Sequence, residues 1–401
     1  MPDGATEGKR LIRSAPDAEA LAALEAAGAP EPEPITPPPA RARKGRGATG
    51  NPPPRFEPTW RDPFDDGWDA AHPAVGEPAE RVPTTLSRDS ARSVISWNTS
   101  PDLGFDRSVN PYRGCEHGCI YCYARPTHAY LGLSPGLDFE TRLQFKPDVA
   151  ALLERELRKT GYAARPLALG TNTDPYQPVE RTLKLTRAVL EVLDRFNHPL
   201  TIVTKSAGVL RDLDSLAAMA KRRLVRVCLS VTTLDPALAR RMEPRAASPE
   251  RRLQAIAALA QAGVPAGVMA APMIPGLNDA ELEHILEAAA RAGARQAGYV
   301  LLRLPGEVAQ LFEAWLTAHF PERAAHVLSL VRQTRAGQMN DPRFGHRMEG
   351  SGPIADLLAA RFARAVRQFG LGETRSELDC TGFAAPPAPA RGAVGEQLSL
   401  F

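Results

Sequence analysis

Cys115, Cys119 and Cys122 fall in one short stretch, Asn110-Pro-Tyr-Arg-Gly-Cys115-Glu-His-Gly-Cys119-Ile-Tyr-Cys122-Tyr-Ala-Arg-Pro126, and make up most of the chain's five cysteines. The C-x₃-C-x₂-C spacers let three sulfurs converge, so whatever folds around this loop must wall a metal centre. Structural zinc usually takes four protein ligands. A four-iron cluster usually takes four cysteines, one per iron. Three cysteines leave one iron without a protein ligand, and an open metal position is where a small molecule can bind. His117 offers a fourth ligand for a Cys₃His zinc site, although zinc usually draws on two separated pairs and no second pair follows. A disulfide staple suits these spacings poorly, since the count is odd and no secretory signal precedes it.

Such a centre needs a reducing compartment, and the rest of the sequence agrees with a cytoplasmic protein. Its first residues, Met1-Pro-Asp-Gly-Ala-Thr-Glu, lack the basic and apolar regions of a leader, and no apolar run reaches bilayer-spanning length. The net charge of +3 sets up no global field that demands a nucleic-acid partner. At 401 residues and 43% hydrophobic, the chain can build one large α/β domain with additions.

Those additions sit at both ends. Residues 1–85 read as a mostly disordered, proline-rich tail. It holds a short helix over Asp17–Ala27, a solvated basic cluster of Arg41, Arg43, Lys44 and Arg46, and three aromatics, Trp60, Phe64 and Trp68, able to tack it onto the body. From Ser108 onward, β-branched runs alternate with helical stretches, which predicts βαβ units and a parallel sheet. Strands are expected over Leu167–Thr171, Leu200–Thr204, Val225–Thr232, Ala266–Met273 and Gly298–Arg303, with a short one ahead of the cysteine loop. Ser248-Pro249-Glu250 supplies a helix cap followed by first-turn proline. Asn278-x-x-Glu281 has capping-box spacing. Two later helices, Pro321–Arg335 and Ile354–Phe369, can close the barrel's open side, and Arg361, Arg364 and Arg367 on the second form a solvated face.

Barrels of this kind carry their chemistry at the C-terminal ends of the strands. Polar groups recur there: the loop Gly170 to Glu180, Thr204-Lys205-Ser206, the alternating Cys228, Ser230 and Thr232, Glu243-Pro-Arg245, and Pro272 to Asp279. A lysine at the mouth can pair with a ligand carboxylate.

The cysteine loop resembles that of the radical S-adenosylmethionine (SAM) enzymes, in which the free iron holds SAM and one electron from a [4Fe-4S] cluster yields a 5′-deoxyadenosyl radical. The aromatic Tyr121 before the third cysteine is typical of them. Within that family, the loop together with Thr171-Asn-Thr-Asp-Pro-Tyr-Gln-Pro178 is similar to the spore photoproduct lyase-like group, bacterial proteins often labelled DNA repair photolyases. The likeness covers about residues 86–370. It implies a partial (β/α)₆ barrel of TIM type over 86–320 and a helical extension over 321–383. It also implies a cluster on Cys115, Cys119 and Cys122, an electron donor for it, and SAM held by Tyr121, Thr173, Lys205 and Ser230. True spore photoproduct lyases use a further cysteine as hydrogen donor. None lies between Tyr123 and Thr204, so Cys228 is the candidate, although a lone strand cysteine is more often a small core residue.

Residues 384–396 form an Ala/Pro/Gly tether ending in Gln397-Leu398-Ser-Leu400-Phe401. Apolar anchors on a flexible tether suit a partner's groove, and the pentapeptide resembles those that dock on the bacterial replication sliding clamp. The leading expectation is therefore a radical SAM enzyme acting on DNA. The same machinery on a small molecule, protein or RNA is the first alternative. The second is a zinc-stabilised nucleic-acid adaptor without catalysis.

Overall fold

The computed structural model describes residues 43–56, 82–372 and 377–387. The expected helix at Asp17–Ala27, the aromatics Trp60, Phe64 and Trp68, and the terminal peptide lie outside them.

Six parallel strands make the scaffold: β3 (Arg107–Val109), β6 (Leu167–Leu169), β7 (Leu200–Thr204), β8 (Val225–Ser230), β9 (Ala266–Met273) and β10 (Gln296–Leu301). They belong to a seven-stranded sheet ordered β10-β9-β8-β7-β6-β3-β2, with β2 (Ile95–Trp97) antiparallel at one edge. Neighbours in sequence are neighbours in space, and helices Val149–Leu157, Leu185–Arg195, Leu213–Lys221, Pro249–Gln261 and Leu282–Arg291 connect them. This is the open (β/α)₆ partial barrel. A smaller sheet, β1 (Thr85–Arg88), β5 (Arg142–Phe145) and β4 (Tyr112–Arg113), lies beside the cysteine loop.

Alternation explains the barrel. Val225, Val227 and Leu229 on β8 are buried with Ile202 of β7, Val268 of β9 and the helix residues Leu190, Leu216 and Ile256. Each fully buried aliphatic side chain contributes about 1.5–3 kcal/mol. The intervening Cys228 and Ser230 therefore turn to the other face. Cap signals read partly true. Ser248 Oγ accepts from Arg251 N and Pro249 opens the helix. Asn278 makes no cap. It is fully buried, its side-chain oxygen accepts from Ile274 N, and its amide donates to Thr232 O at 2.7 Å and Pro272 O at 3.0 Å. Glu281 turns instead to Thr233 and Leu234. The spacing was that of a capping box, but these two side chains tie the ends of β8 and β9 together.

Two expectations beyond the barrel change. A helix over Val308–His319, unanticipated, packs with Pro321–Gln333, and both share a core with Ile120 and Tyr121 of the cysteine loop. Helix Pro353–Phe369 lies against Leu282–Arg291, so it covers the β10 side, and Arg361 is paired to Glu283 at 2.6 Å instead of solvated.

In the basic segment Arg43 and Lys44 are exposed as expected, Arg41 lies outside the described residues, and Arg46 departs from the expectation. Residues 43–56 form a strap over the cysteine loop, and Arg46 is buried. Its guanidinium donates to the carbonyls of Glu140 and Val82 and to Thr84 Oγ1. Gly47 N and Ala48 N donate to the carboxylate of Glu140 at 2.9 and 2.8 Å, and Glu140 is itself paired with buried Arg125. Glycine is required here, because a Cβ at Gly47 would lie 1.8 Å from Gly118 O.

Candidate functional site

The loop after β3 is held on every side. Cys115 N donates to Phe139 O, Ile120 N to Met242 O, and Arg245 N to His117 O. Arg125 Nε donates to Cys119 O at 2.9 Å. These bonds turn all three cysteines onto one cavity of about 100 Å³ shared with His117, Thr173, Asp174, Lys205 and Ser230. Burial pushes the Cys119 thiol up to about 12 and the Cys115 thiol well above its ordinary range. Both stay protonated until a metal displaces the proton.

His117 is committed elsewhere. Its Nδ1 lies 3.3 Å from Asp174 Oδ2, and Asp174 also accepts from Lys205 N and Thr204 Oγ1. Burial alone would raise the Asp174 carboxyl, but the His117 ring and these donors hold it at about 2. Among the described residues, no three His, Cys, Asp or Glu side chains converge tightly enough to share one ion. With His117 engaged by Asp174, the three sulfurs that share the cavity are the set a cluster with one open iron calls for.

Tyr121 is buried and its hydroxyl donates to Glu243, which is salt-bridged to buried Arg252. Burial would raise Glu243, but Arg252 and Lys205 hold it below the usual carboxylate range. Lys205 Nζ sits 5.7 Å from the Tyr121 ring centroid. Thr173 Oγ1 donates to Gly114 O at 2.7 Å, which steadies the turn into Cys115.

A second, larger cavity of about 550 Å³ opens from the first, and Cys119, Cys122, Lys205 and Ser230 line both. Tyr121 lines the larger and Thr173 the smaller. All four residues expected around SAM thus share walls with the cysteines. Cys228 does not: it faces the same side of β8 as Ser230 but lies deeper along the strand, opposite Val203 and Gly267, and lines neither cavity. The outer wall includes Trp97, Tyr123, Arg303 and Arg347, none of them anticipated. Trp97 is 60% and Tyr123 45% exposed, unusual for large aromatics. Arg107 lies over Trp97 and Arg303 over Tyr123, each 4.5 Å from the ring centroid. An aromatic just ahead of the first barrel strand was the only sequence signal for Trp97.

An open parallel barrel whose strand ends face a three-cysteine loop defines a class of metallo-enzyme with one free coordination position. Comparison with known proteins gives the family. The sequence model of the radical SAM superfamily matches residues 109–289. The chain is 40% identical over 233 residues to an uncharacterised protein of Mycobacterium tuberculosis strain H37Rv, covering 58% of this chain and 68% of that one. It is 30% identical over 173 residues to an uncharacterised protein of Methanocaldococcus jannaschii, covering 43% and 62%. Spore photoproduct lyase in complex with dinucleoside spore photoproduct superposes with a TM-score of 0.51 at 18% identity, over 71% of this chain and 79% of that one. The chain belongs to the radical SAM superfamily. It is a radical SAM enzyme with the fold of the spore photoproduct lyase group, and the zinc adaptor without catalysis is set aside. No helix among the described residues is long and apolar enough to cross a membrane.

Proposed function

We propose that this enzyme acts on a base in DNA, abstracting hydrogen from a carbon of the nucleotide as the first step of a repair or modification reaction. Cys115, Cys119 and Cys122 would hold the cluster, and Lys205, Ser230, Tyr121 and Thr173 would surround SAM. Bound there, the cluster and SAM supply a carbon radical through one-electron cleavage of the sulfonium bond. The chain's own work is to hold the ligand carboxylate at Lys205, keep Lys205 neighboured by Glu243, and brace the cysteine loop through the core that Ile120 and Tyr121 share with the helices Val308–His319 and Pro321–Gln333.

The observation that carries the DNA reading is the pair of exposed aromatics, Trp97 and Tyr123, on the cavity that the cysteines line. A base taken out of its stack is received by aromatic faces, each worth about 1–3 kcal/mol. A spore photoproduct lyase variant with bound SAM and dinucleoside spore photoproduct is among the folds that superpose, with a TM-score of 0.50. Cys228 lies off the cavity wall, so the reading does not assign it the return of hydrogen.

The test is anaerobic turnover of reconstituted, reduced protein with SAM and ultraviolet-irradiated or intact oligodeoxynucleotides. DNA should stimulate 5′-deoxyadenosine release, and Trp97→Ala should weaken DNA binding roughly tenfold. Stimulation by RNA or a small molecule instead, with DNA inert, overturns the reading. Gln397, Leu398, Leu400 and Phe401 would recruit the enzyme to a sliding clamp. A titration of the clamp with peptide Arg391–Phe401 and its Leu400→Ala, Phe401→Ala version decides that, with micromolar binding expected for the parent only.

A further inference from the structure

The larger cavity holds more positive charge than SAM can use. Among the described residues no carboxylate lines it, whereas Lys205, Arg303 and Arg347 do. Arg347 is neutralised from outside the wall by Asp102 at 2.7 Å. Lys205 borders the cluster cavity as well, so it stands where SAM's carboxylate would lie, and Arg303 borders only the larger one. Among the described residues, Arg303 makes no ion pair and no hydrogen bond; it lies over the face of Tyr123, and Asp102, already paired with Arg347, acts on it only as a neighbouring charge.

The surroundings make this vacancy costlier. Arg335, near Arg303 and fully buried, spends its donors on the carbonyls of Leu301, Leu302, His346 and Arg347, and among the described residues it makes no ion pair. Burial first and then the charge of Arg303 lower the Arg335 pKa, while burial and then the charge of Arg347 lower that of Arg303. A guanidinium out of water is ordinarily paired. Here the guanidinium lines the larger cavity with its donors uncommitted among the described residues, over the face of Tyr123.

We propose that Arg303 is the anion subsite for the substrate, binding a phosphate oxyanion next to the group that stacks on Tyr123. The inference rests on the nucleobase reading for its most natural source, an internucleoside phosphodiester. The phosphate of a free nucleotide presents the same chemistry. Guanidinium suits either because its planar fork meets two oxygens at once.

The experiment uses anaerobically reconstituted protein at low ionic strength, because such contacts are screened by salt. Three probes are titrated: a single-stranded oligothymidylate, the same oligomer with neutral methylphosphonate linkages, and thymidine 5′-monophosphate. They are repeated with Arg303→Gln and Arg303→Lys, with four iron per chain as the check on folding. The expected result is a loss of about tenfold or more for the charged oligomer with Arg303→Gln, partial recovery with Arg303→Lys, and little change for the neutral oligomer. Equal losses for charged and neutral oligomers overturn the subsite, assigning Arg303 to the Tyr123 stack while leaving the nucleobase reading standing. If neither oligomer binds the parent but the monophosphate does and Arg303→Gln abolishes it, the subsite stands and the DNA reading falls. Binding of no probe overturns both.

Discussion

Asp102 and Arg347 join the two ends of an open sheet. Arg347 Nε donates to Asp102 Oδ2 at 2.7 Å, while Gly345 N donates to Asp102 Oδ1. Asp102 stands between β2 and β3 at one edge, and Arg347 follows β10 at the other, beside Leu301, whose N–H donates to Met348 O. The pair is a clasp across the gap where a seventh and eighth strand would close a full barrel, and Arg347 is also cavity wall.

Cutting this clasp should loosen the cavity more than the fold. Arg347→Ala takes from Asp102 its ionic partner, leaving the Gly345 N–H, and should cost about 1–3 kcal/mol, a few degrees in Tm. Iron loss in air should quicken, and amide exchange should rise over residues 99–105 and 341–350. Unchanged iron loss would mean that the clasp does not guard the centre.

Replacing any one of Cys115, Cys119 or Cys122 by alanine should abolish the cluster, read as about four iron per chain and visible absorption. Cys228→Ala and Cys380→Ala should retain it, since neither lines the cysteine cavity. Stoichiometric zinc in place of iron would undo the assignment of the loop.

Lys205→Ala should weaken SAM binding roughly tenfold or more, because a charge-assisted contact is worth on the order of 1.5–3 kcal/mol. A second effect follows from Glu243, whose carboxylate is held down by Arg252 first and Lys205 next once burial is overcome. Equal affinity in parent and variant would displace SAM from this wall.

Acid should destabilise the protein through His198. The ring is buried, its Nδ1 faces Pro199 O at 2.9 Å and its Nε2 faces the Tyr162 hydroxyl at 2.8 Å. A carbonyl only accepts, so Nδ1 carries the proton and Nε2 accepts from Tyr162. Burial lowers the pKa from 6.5 to about 4. The folded state therefore binds this proton less readily than the unfolded chain. Its stability contribution is whole above pH 6.5 and is lost as pH falls towards 4, on the order of 3 kcal/mol. Urea unfolding between pH 7 and 4 should show that slope, and His198→Phe should flatten it.

Local patterns announced the barrel because β8 and its neighbours alternate by chemistry, and the cysteine loop because its spacing has few other uses. What stayed hidden depends on partners remote in sequence. Nothing near Arg46 says that Glu140 will accept its strap, and Asn278-x-x-Glu281 looks identical whether it caps a helix or ties two strands. Trp97 reads as one more strand residue until the cavity is placed against it. The same holds for Arg303, whose meaning comes from the carboxylates that are missing around it.

The strap over the cysteine loop imposes an order on assembly. Gly47 leaves the ribosome early, yet the carboxylate that holds it belongs to Glu140, 93 residues further along the chain. The segment made earlier can dock only once Glu140 has been made. Until then the backbone around Gly118 is uncovered, which leaves a period during synthesis when iron and sulfide meet an open loop. Closure afterwards covers the backbone at Gly118, so the loop is shielded by a segment that was made before it.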